Sequence, residues 1–303
     1  MPPVFTRLPA PPLHHRRDPR LAAEYVAQFD VLPGSDGAHP RCDRSGWIRR
    51  VSRCVPRRSR GRPVKVERSR VAFIGDVHLD LGDAAVQPFT RMLHRLSETC
   101  DSLVLMGDLF NLWVGQPEMQ LAHQHEVAET LRAIRGRGVA VHYVEGNRDY
   151  RIGRAFQGDL FDTVGDTGLE QRVAGRSLWA IHGDLANRAD RRYRVWRRFS
   201  RSGPFWGCFN LLPARLRLSV AGKLETWMRS TNVAFKREFP GAMIGDYASK
   251  FAARGYDAIV LGHFHVEKHW QLAGGTSVYV LPEWKRSRRH LVADAAGIRF
   301  VDS

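Results

Sequence analysis

The sequence predicts an α/β fold built on parallel strands, and three observations carry that expectation. From residue 71 onward, short apolar runs alternate with segments of helical spacing. Five of those runs end in residues that ligate metals, as happens where ligands gather beyond the carboxyl ends of strands. The stretch before them, residues 1–68, is rich in Pro and Arg and lacks apolar periodicity, so the folded domain is expected over 69–303.

The elements follow in chain order. "PPVFTRLPAPPLHHRRDPR" and "RCDRSGWIRRVSRCVPRRSRGRPVKVERSR" cannot bury enough surface to offset ordering entropy, so the tail is expected to be disordered, with a short helix possible at "RLAAEYVAQF". The domain opens at "RVAFIGDVHLD". Strands are expected at 71–75, 102–106, 139–144, 177–182 and 257–262, then at 277–281, 290–293 and 298–301. Between them, "AAVQPFTRMLHRLSE" and "EMQLAHQHEVAETLRAIRGRG" have helical spacing, and the second stops at Arg-Gly-Arg-Gly. Residues 185–256 interrupt the alternation with Arg interleaved among aromatics such as Tyr193, Trp196, Phe199 and Phe205. They read as a helical insertion, or lid, broken near Gly203-Pro204 and Pro213.

Composition narrows the class. Of 303 residues, 43% are hydrophobic and 26% charged, as in an ordinary soluble domain, and no apolar run is long enough to span a bilayer. No apolar segment follows Arg16 and Arg17, so a cleaved secretory signal is not expected. Cys42, Cys54, Cys100 and Cys208 match no zinc module and read as reduced thiols of a cytoplasmic protein. The net charge of +16 is concentrated. Residues 1–70 hold 16 Lys and Arg against 6 Asp and Glu, and residues 185–256 hold 15 against 4. Such basicity suits nucleic acid, an anionic membrane surface or a phosphorylated substrate. No nucleic-acid motif accompanies it. Nucleic-acid binding through the Arg-rich segments therefore stays a remote alternative.

The chemistry sits at the strand ends. "FIGDVH" supplies Asp76 and His78, "LMGDLF" Asp108, "VEGNRD" Asn147, "AIHGD" His182, and "VLGHFH" His263 and His265. A lone Gly-Asp is usually only a turn. An ordered set of five, each directly after an apolar strand, points to one cleft lined by oxygen and nitrogen donors. Carboxylate, amide and imidazole without thiolate suit manganese, iron or zinc, and Asp108 is placed to bridge two ions. Paired divalent metals activate water and neutralise phosphoryl oxygens.

The set D-x-H, G-D, G-N-[HR]-D, H-G-D and G-H-x-H resembles the calcineurin-like metallophosphoesterase superfamily over residues 71 to about 300. Within it, "GDLFNLW" and "GNRDYRIG" are similar to motifs of the UDP-2,3-diacylglucosamine diphosphatases of lipid A biosynthesis, which also carry a helical insertion. The resemblance implies a β-sandwich flanked by helices (α/β/β/α) and two metal ions, usually Mn2+. Asp76, His78, Asp108 and His265 would hold one ion; Asp108, Asn147, His182 and His263 would hold the other. It further implies that Arg148, Asn147 and Asp190 meet the substrate. The product would be UMP, released by attack of metal-activated water on a nucleotide-linked glycolipid at the inner face of the cytoplasmic membrane. Another nucleotide or lipid diphosphate, or a phosphodiester, is the alternative substrate. Asn111 departs from the pattern, standing where the relatives have an acidic residue, and "VLPEWKRSRRH" matches only loosely. Arg229, Lys236 and Arg237 in the insertion are further candidates for substrate contact.

Arg148 stands where many superfamily members have a His that protonates the leaving oxygen. A nucleoside monophosphate leaving group needs no such proton, because its second pKa is near 6. It benefits instead from a permanent cation whose planar fork matches phosphate. Arg148 is therefore expected to mark a diphosphate substrate, with a local ion pair to Asp149 as the plainer alternative.

Overall fold

The computed structural model describes residues 67–213, 216–217, 219–223 and 239–303. The basic tail up to residue 66, its short candidate helix, Cys42 and Cys54, and Arg229, Lys236 and Arg237 lie outside the described residues.

Two six-stranded sheets pack face to face. The first runs in the order Gly297–Asp302, Arg289–Asp294, Arg70–Ile74, Ser102–Leu105, Ala140–Val144 and Thr163–Gly165. The second runs Glu67–Arg68, Leu169–Val173, Arg176–Ile181, Ala258–Leu261, Ser277–Val280 and Lys268–Gln271. All eight expected strands are present to within two residues at either end. Parallel strands form the centre of each sheet, as expected, and antiparallel strands join them. The central pairings, 70–74 with 102–105 and 176–181 with 258–261, are parallel. The hairpin Arg289–Asp294/Gly297–Asp302, the pair Leu169–Val173/Arg176–Ile181 and the edge strand Lys268–Gln271 are antiparallel. The short connections Ala174-Gly175 and Ala295-Ala296 can only join antiparallel neighbours, whereas parallel neighbours need a crossover. Glu67–Arg68 pairs with Leu169–Val173, so the sheet begins just inside the stretch assigned to the tail.

The strands read as continuous apolar runs because both faces of each sheet are covered. Alternate residues then divide between two cores. Val71, Phe73, Val104 and Val144 point between the sheets and meet Leu178, Ala180, Ala258 and Val260. Their neighbours Ala72, Ile74, Leu103 and Leu105 point outward against helices Val86–Thr99 and Ala122–Gly136, whose Phe89, Leu93, Val127 and Leu131 are buried there. On the other side, Ile181, Ile259, Leu261, Val278 and Val280 meet Ile244 and Ala248 of helix Gly241–Ala252. The result is the four-layer α/β/β/α arrangement.

That last contact shows that 185–256 is not one uniform insertion. Helix Gly241–Ala252 is the outer layer of the sandwich. Helices Arg191–Ser200 and Gly203–Leu211 lie earlier in the insertion, and the first ends where Ser202 caps the second and Pro204 occupies its first turn.

Candidate metal centre

Within each sheet the motif-bearing strands run parallel to one another, Arg70–Ile74 with Ser102–Leu105 and Ala140–Val144, and Arg176–Ile181 with Ala258–Leu261, so their carboxyl ends open on one edge of the sandwich. The chain then turns sharply. Of the eight non-glycine residues with positive φ among the described residues, five are Asp76, His78, Asp108, His263 and His265, at φ between 51° and 73°. Side chains rarely adopt this left-handed region, and strain of this kind concentrates at functional sites. Here it turns both ligands of D-x-H, and both of H-x-H, into one space just past the strand end.

The seven expected donors converge. The Nε2 atoms of His78 and His265 lie 3.1 Å apart, and His265 Nε2 is 3.5 Å from Asp76 Oδ1. His78 Nε2 is 3.9 Å from both Asp76 Oδ1 and Asp108 Oδ2. Beside this group, Asn147 Oδ1 lies 3.1 Å from His182 Nε2 and 3.0 Å from His263 Nδ1, while His182 Nε2 is 3.7 Å from Asp108 Oδ1. Asp76 and Asp108 thus stand between two clusters of imidazole and amide donors, in the pattern of a two-ion centre.

The donor set fits cations by an independent criterion. Asp76 is fully buried, yet its Oδ1 accepts no hydrogen bond; Oδ2 takes the His263 amide at 2.7 Å. A buried carboxylate oxygen left bare is costly unless a cation faces it. The titration behaviour agrees. Burial resists charge on Asp76, but His265, His182 and His78 hold its carboxyl below the usual range. At Asp108, burial prevails over His182 and Arg148 and pushes the carboxyl up. Burial and the nearby His182 lower His263 to about 4, which keeps it neutral as a ligand must be. His182 Nδ1–H donates to Met106 O at 2.8 Å, which orients the ring and leaves Nε2 free to ligate.

Two glycines are required by this crowding. A Cβ on Gly107 would lie 2.6 Å from Gly146 N and 2.8 Å from His182 Nδ1; one on Gly146 would lie 2.9 Å from Asp108 N and from His182 Cε1.

Arg148 is 6% exposed. Its Nε lies 3.4 Å from Asp108 Oδ2, Nη1 donates to Asn111 O at 3.2 Å, and its amide donates to Asp108 Oδ1 at 2.9 Å. The ion pair with Asp149 weighed from the sequence is not the arrangement found. Asp149 faces away and its Oδ2 accepts from the amides of Gly146 and Asp108 and from the Tyr143 hydroxyl, tying two ligand loops together. Asn111 grips Arg148 through its backbone carbonyl, a contact that does not depend on which side chain stands there. Asp190 caps helix Arg191–Ser200, its Oδ1 accepting from Tyr193 N at 2.9 Å.

Sequence reasoning missed Glu283 and Asp184. Glu283 Oε2 lies 3.6 Å from His265 Nδ1, and it follows strand Ser277–Val280, so the strand-end rule could have found it. Asp184 accepts from Arg197 Nε at 2.9 Å and from the Tyr193 hydroxyl, two partners that no local spacing announces.

A family model described as calcineurin-like phosphoesterase matches residues 69–267. Among curated relatives, the UDP-2,3-diacylglucosamine hydrolase of Ralstonia nicotianae is 30% identical over 233 residues, covering 73% of this chain and 86% of the relative. The protein of that name from Edwardsiella ictaluri is 26% identical over 235 residues, covering 76% and 90%. That from Shewanella baltica (strain OS195) is 28% identical over 235 residues, covering 76% and 96%.

Gly146→Ala is expected to lower metal-dependent phosphoester hydrolysis at least about 100-fold, because a displacement of ~1 Å at reacting groups has that effect. Circular dichroism should show the fold retained. Activity within a few-fold of wild type would show that the close approach is not needed.

Proposed function

The chain belongs to the calcineurin-like phosphoesterase family, and on that premise we propose that it is a dinuclear-metal hydrolase that cleaves the diphosphate of UDP-2,3-diacylglucosamine to UMP and 2,3-diacylglucosamine 1-phosphate. The observation that carries this is Arg148, buried against Asp108 at the position where a proton donor would serve a different leaving group. Relatives that bear the name of that activity cover the chain widely.

Asp76, His78, Asp108 and His265 would hold one divalent ion, and Asp108, Asn147, His182 and His263 the other, with Mn2+ the ion proposed. When bound, such ions supply an activated water and offset charge on phosphoryl oxygens. The chain's own residues do the rest. Arg148 is held by Asn111 O and Asp108, so its guanidinium enters the reaction already oriented. A preorganised cation of this kind stabilises charge as it develops and loses little entropy in doing so. Proton donation to the leaving UMP is unnecessary near neutral pH. Asp190 is kept as a proposed substrate contact, alongside its capping role.

The insertion supports a lipid substrate met at a membrane surface. Among the described residues, five of the six exposed large hydrophobic side chains fall between residues 195 and 220, among them Val195 at 68%, Phe199 at 54% and Leu211 at 85% exposure. Arg191, Arg192, Arg194 and Arg198 are exposed on the same helix. Apolar side chains rimmed by Arg suit acyl chains below anionic headgroups. Peripheral attachment to the inner face of the cytoplasmic membrane follows from this proposal.

With Mn2+, the purified protein should release UMP from UDP-2,3-diacylglucosamine and act far less on simple nucleotide diphosphates. No UMP from a protein that still hydrolyses a generic phosphodiester would move the substrate to another diphosphate or diester. Arg148→Ala should lower kcat on the diphosphate about 100-fold, and Arg148→His should trade diphosphate for diester cleavage. Near-wild-type cleavage by Arg148→Ala contradicts the assignment. Sedimentation with anionic phospholipid vesicles should fall several-fold in Val195→Glu/Phe199→Glu; unchanged binding would remove the membrane face from this helix.

A further inference from the structure

Arg201 ends helix Arg191–Ser200, and its side chain turns toward the metal centre rather than toward solvent. Its Nη2 donates to Gly146 O at 2.6 Å and to Asp149 O at 3.0 Å. These two carbonyls bracket Asn147 and Arg148. Its Nε lies 3.7 Å from Glu145 Oε2 and 3.5 Å from Asp166 Oδ1, and its guanidinium sits 5.8 Å from the Tyr150 ring centroid. On the opposite side of the same loop, Asp108 Oδ1 holds the Arg148 amide and Asp149 Oδ2 holds the Gly146 amide. The loop is therefore pinned from within by carboxylates and from without by one guanidinium. One helical turn earlier, Arg197 makes the corresponding contact to Asp184, two residues past His182.

We propose that Arg201 is a positioning residue that fixes Asn147 and Arg148 by bridging the carbonyls on either side of them, so that the insertion's first helix braces the metal-binding loops. The proposal deepens the metal assignment above and rests on Asn147 being a ligand. A purely structural role for Arg201 would need only its charge beside Glu145 and Asp166. Such a role would alter stability without selecting one ion. A brace acting through Asn147 must weaken one ion and leave the other.

The test is Mn2+ titration of the full chain by calorimetry, which uses no substrate and so does not depend on the UDP-glycolipid assignment. Arg201→Ala should weaken one of two Mn2+ sites about tenfold, the size of effect that outer hydrogen-bonding partners have on metal affinity. Arg201→Gln, which retains a donor for one carbonyl and is less disruptive to folding, should fall between. In an Asn147→Ala background, removing Arg201 should have no further effect on Mn2+ affinity, because the group through which it acts is gone. The proposal is overturned if the two losses multiply, if both ions weaken equally, or if Arg201→Ala and Arg201→Gln lower the melting temperature while leaving Mn2+ affinity unchanged.

Discussion

Two carboxylates, Asp76 and Asp108, are buried at 0% and 2% exposure within one cluster, and much of the surrounding structure compensates for them. A buried carboxylate without a partner is among the least favourable features a fold can contain. Every neighbouring motif supplies part of the remedy. The His263 amide takes one oxygen of Asp76, the Arg148 amide and guanidinium take Asp108, and four imidazoles face the pair. The remaining deficit, the bare Asp76 Oδ1, is what a divalent cation answers. The left-handed backbone at five ligand positions and the absent Cβ atoms of Gly107 and Gly146 are the means by which the chain brings so many polar groups into so little space.

The sandwich makes this possible because its central strands are parallel. Their carboxyl ends coincide at one edge, and both faces are sealed by apolar layers, Val71 and Phe73 inward and Ala72 and Ile74 outward. Rigid strands on two sides set the loops to within small tolerances, which a site held by long flexible segments could not achieve. The insertion adds a second boundary. Arg197 and Arg201, counted in the sequence merely as part of a basic segment, are largely buried ion-pair partners of Asp184, Asp166 and Glu145. The exposed arginines on the same helix, Arg191, Arg192, Arg194 and Arg198, are the ones available to an anionic partner.

What could be read from the sequence was what depends on local pattern. Apolar runs located the eight expected strands, and the Gly-Asp, Gly-Asn, His-Gly-Asp and Gly-His sequences at five of their ends located the seven candidate donors, because a strand end is a local event. Two antiparallel strands were missed. Leu169–Val173, with Glu170, Gln171 and Arg172 among its residues, lacks the apolar density of a doubly covered strand, and Lys268–Gln271 is an exposed edge. The role of Asp149 was not legible for a related reason. Its partners are the amides of Gly146 and Asp108 and the hydroxyl of Tyr143, one of them 41 residues away, and local spacing offered only the adjacent Arg148 as an alternative partner. Helix Gly241–Ala252 was grouped with the insertion because its length and composition do not reveal that Ile244 and Ala248 face the sheet.

The chemistry assigned to this cleft requires two ions sharing one centre. Electron paramagnetic resonance of the Mn2+-titrated protein tests that most directly. A spin-coupled pair should appear as the second equivalent binds, and His182→Ala should leave a single uncoupled ion. A wild-type spectrum showing only isolated Mn2+ at all loadings would contradict the two-ion centre.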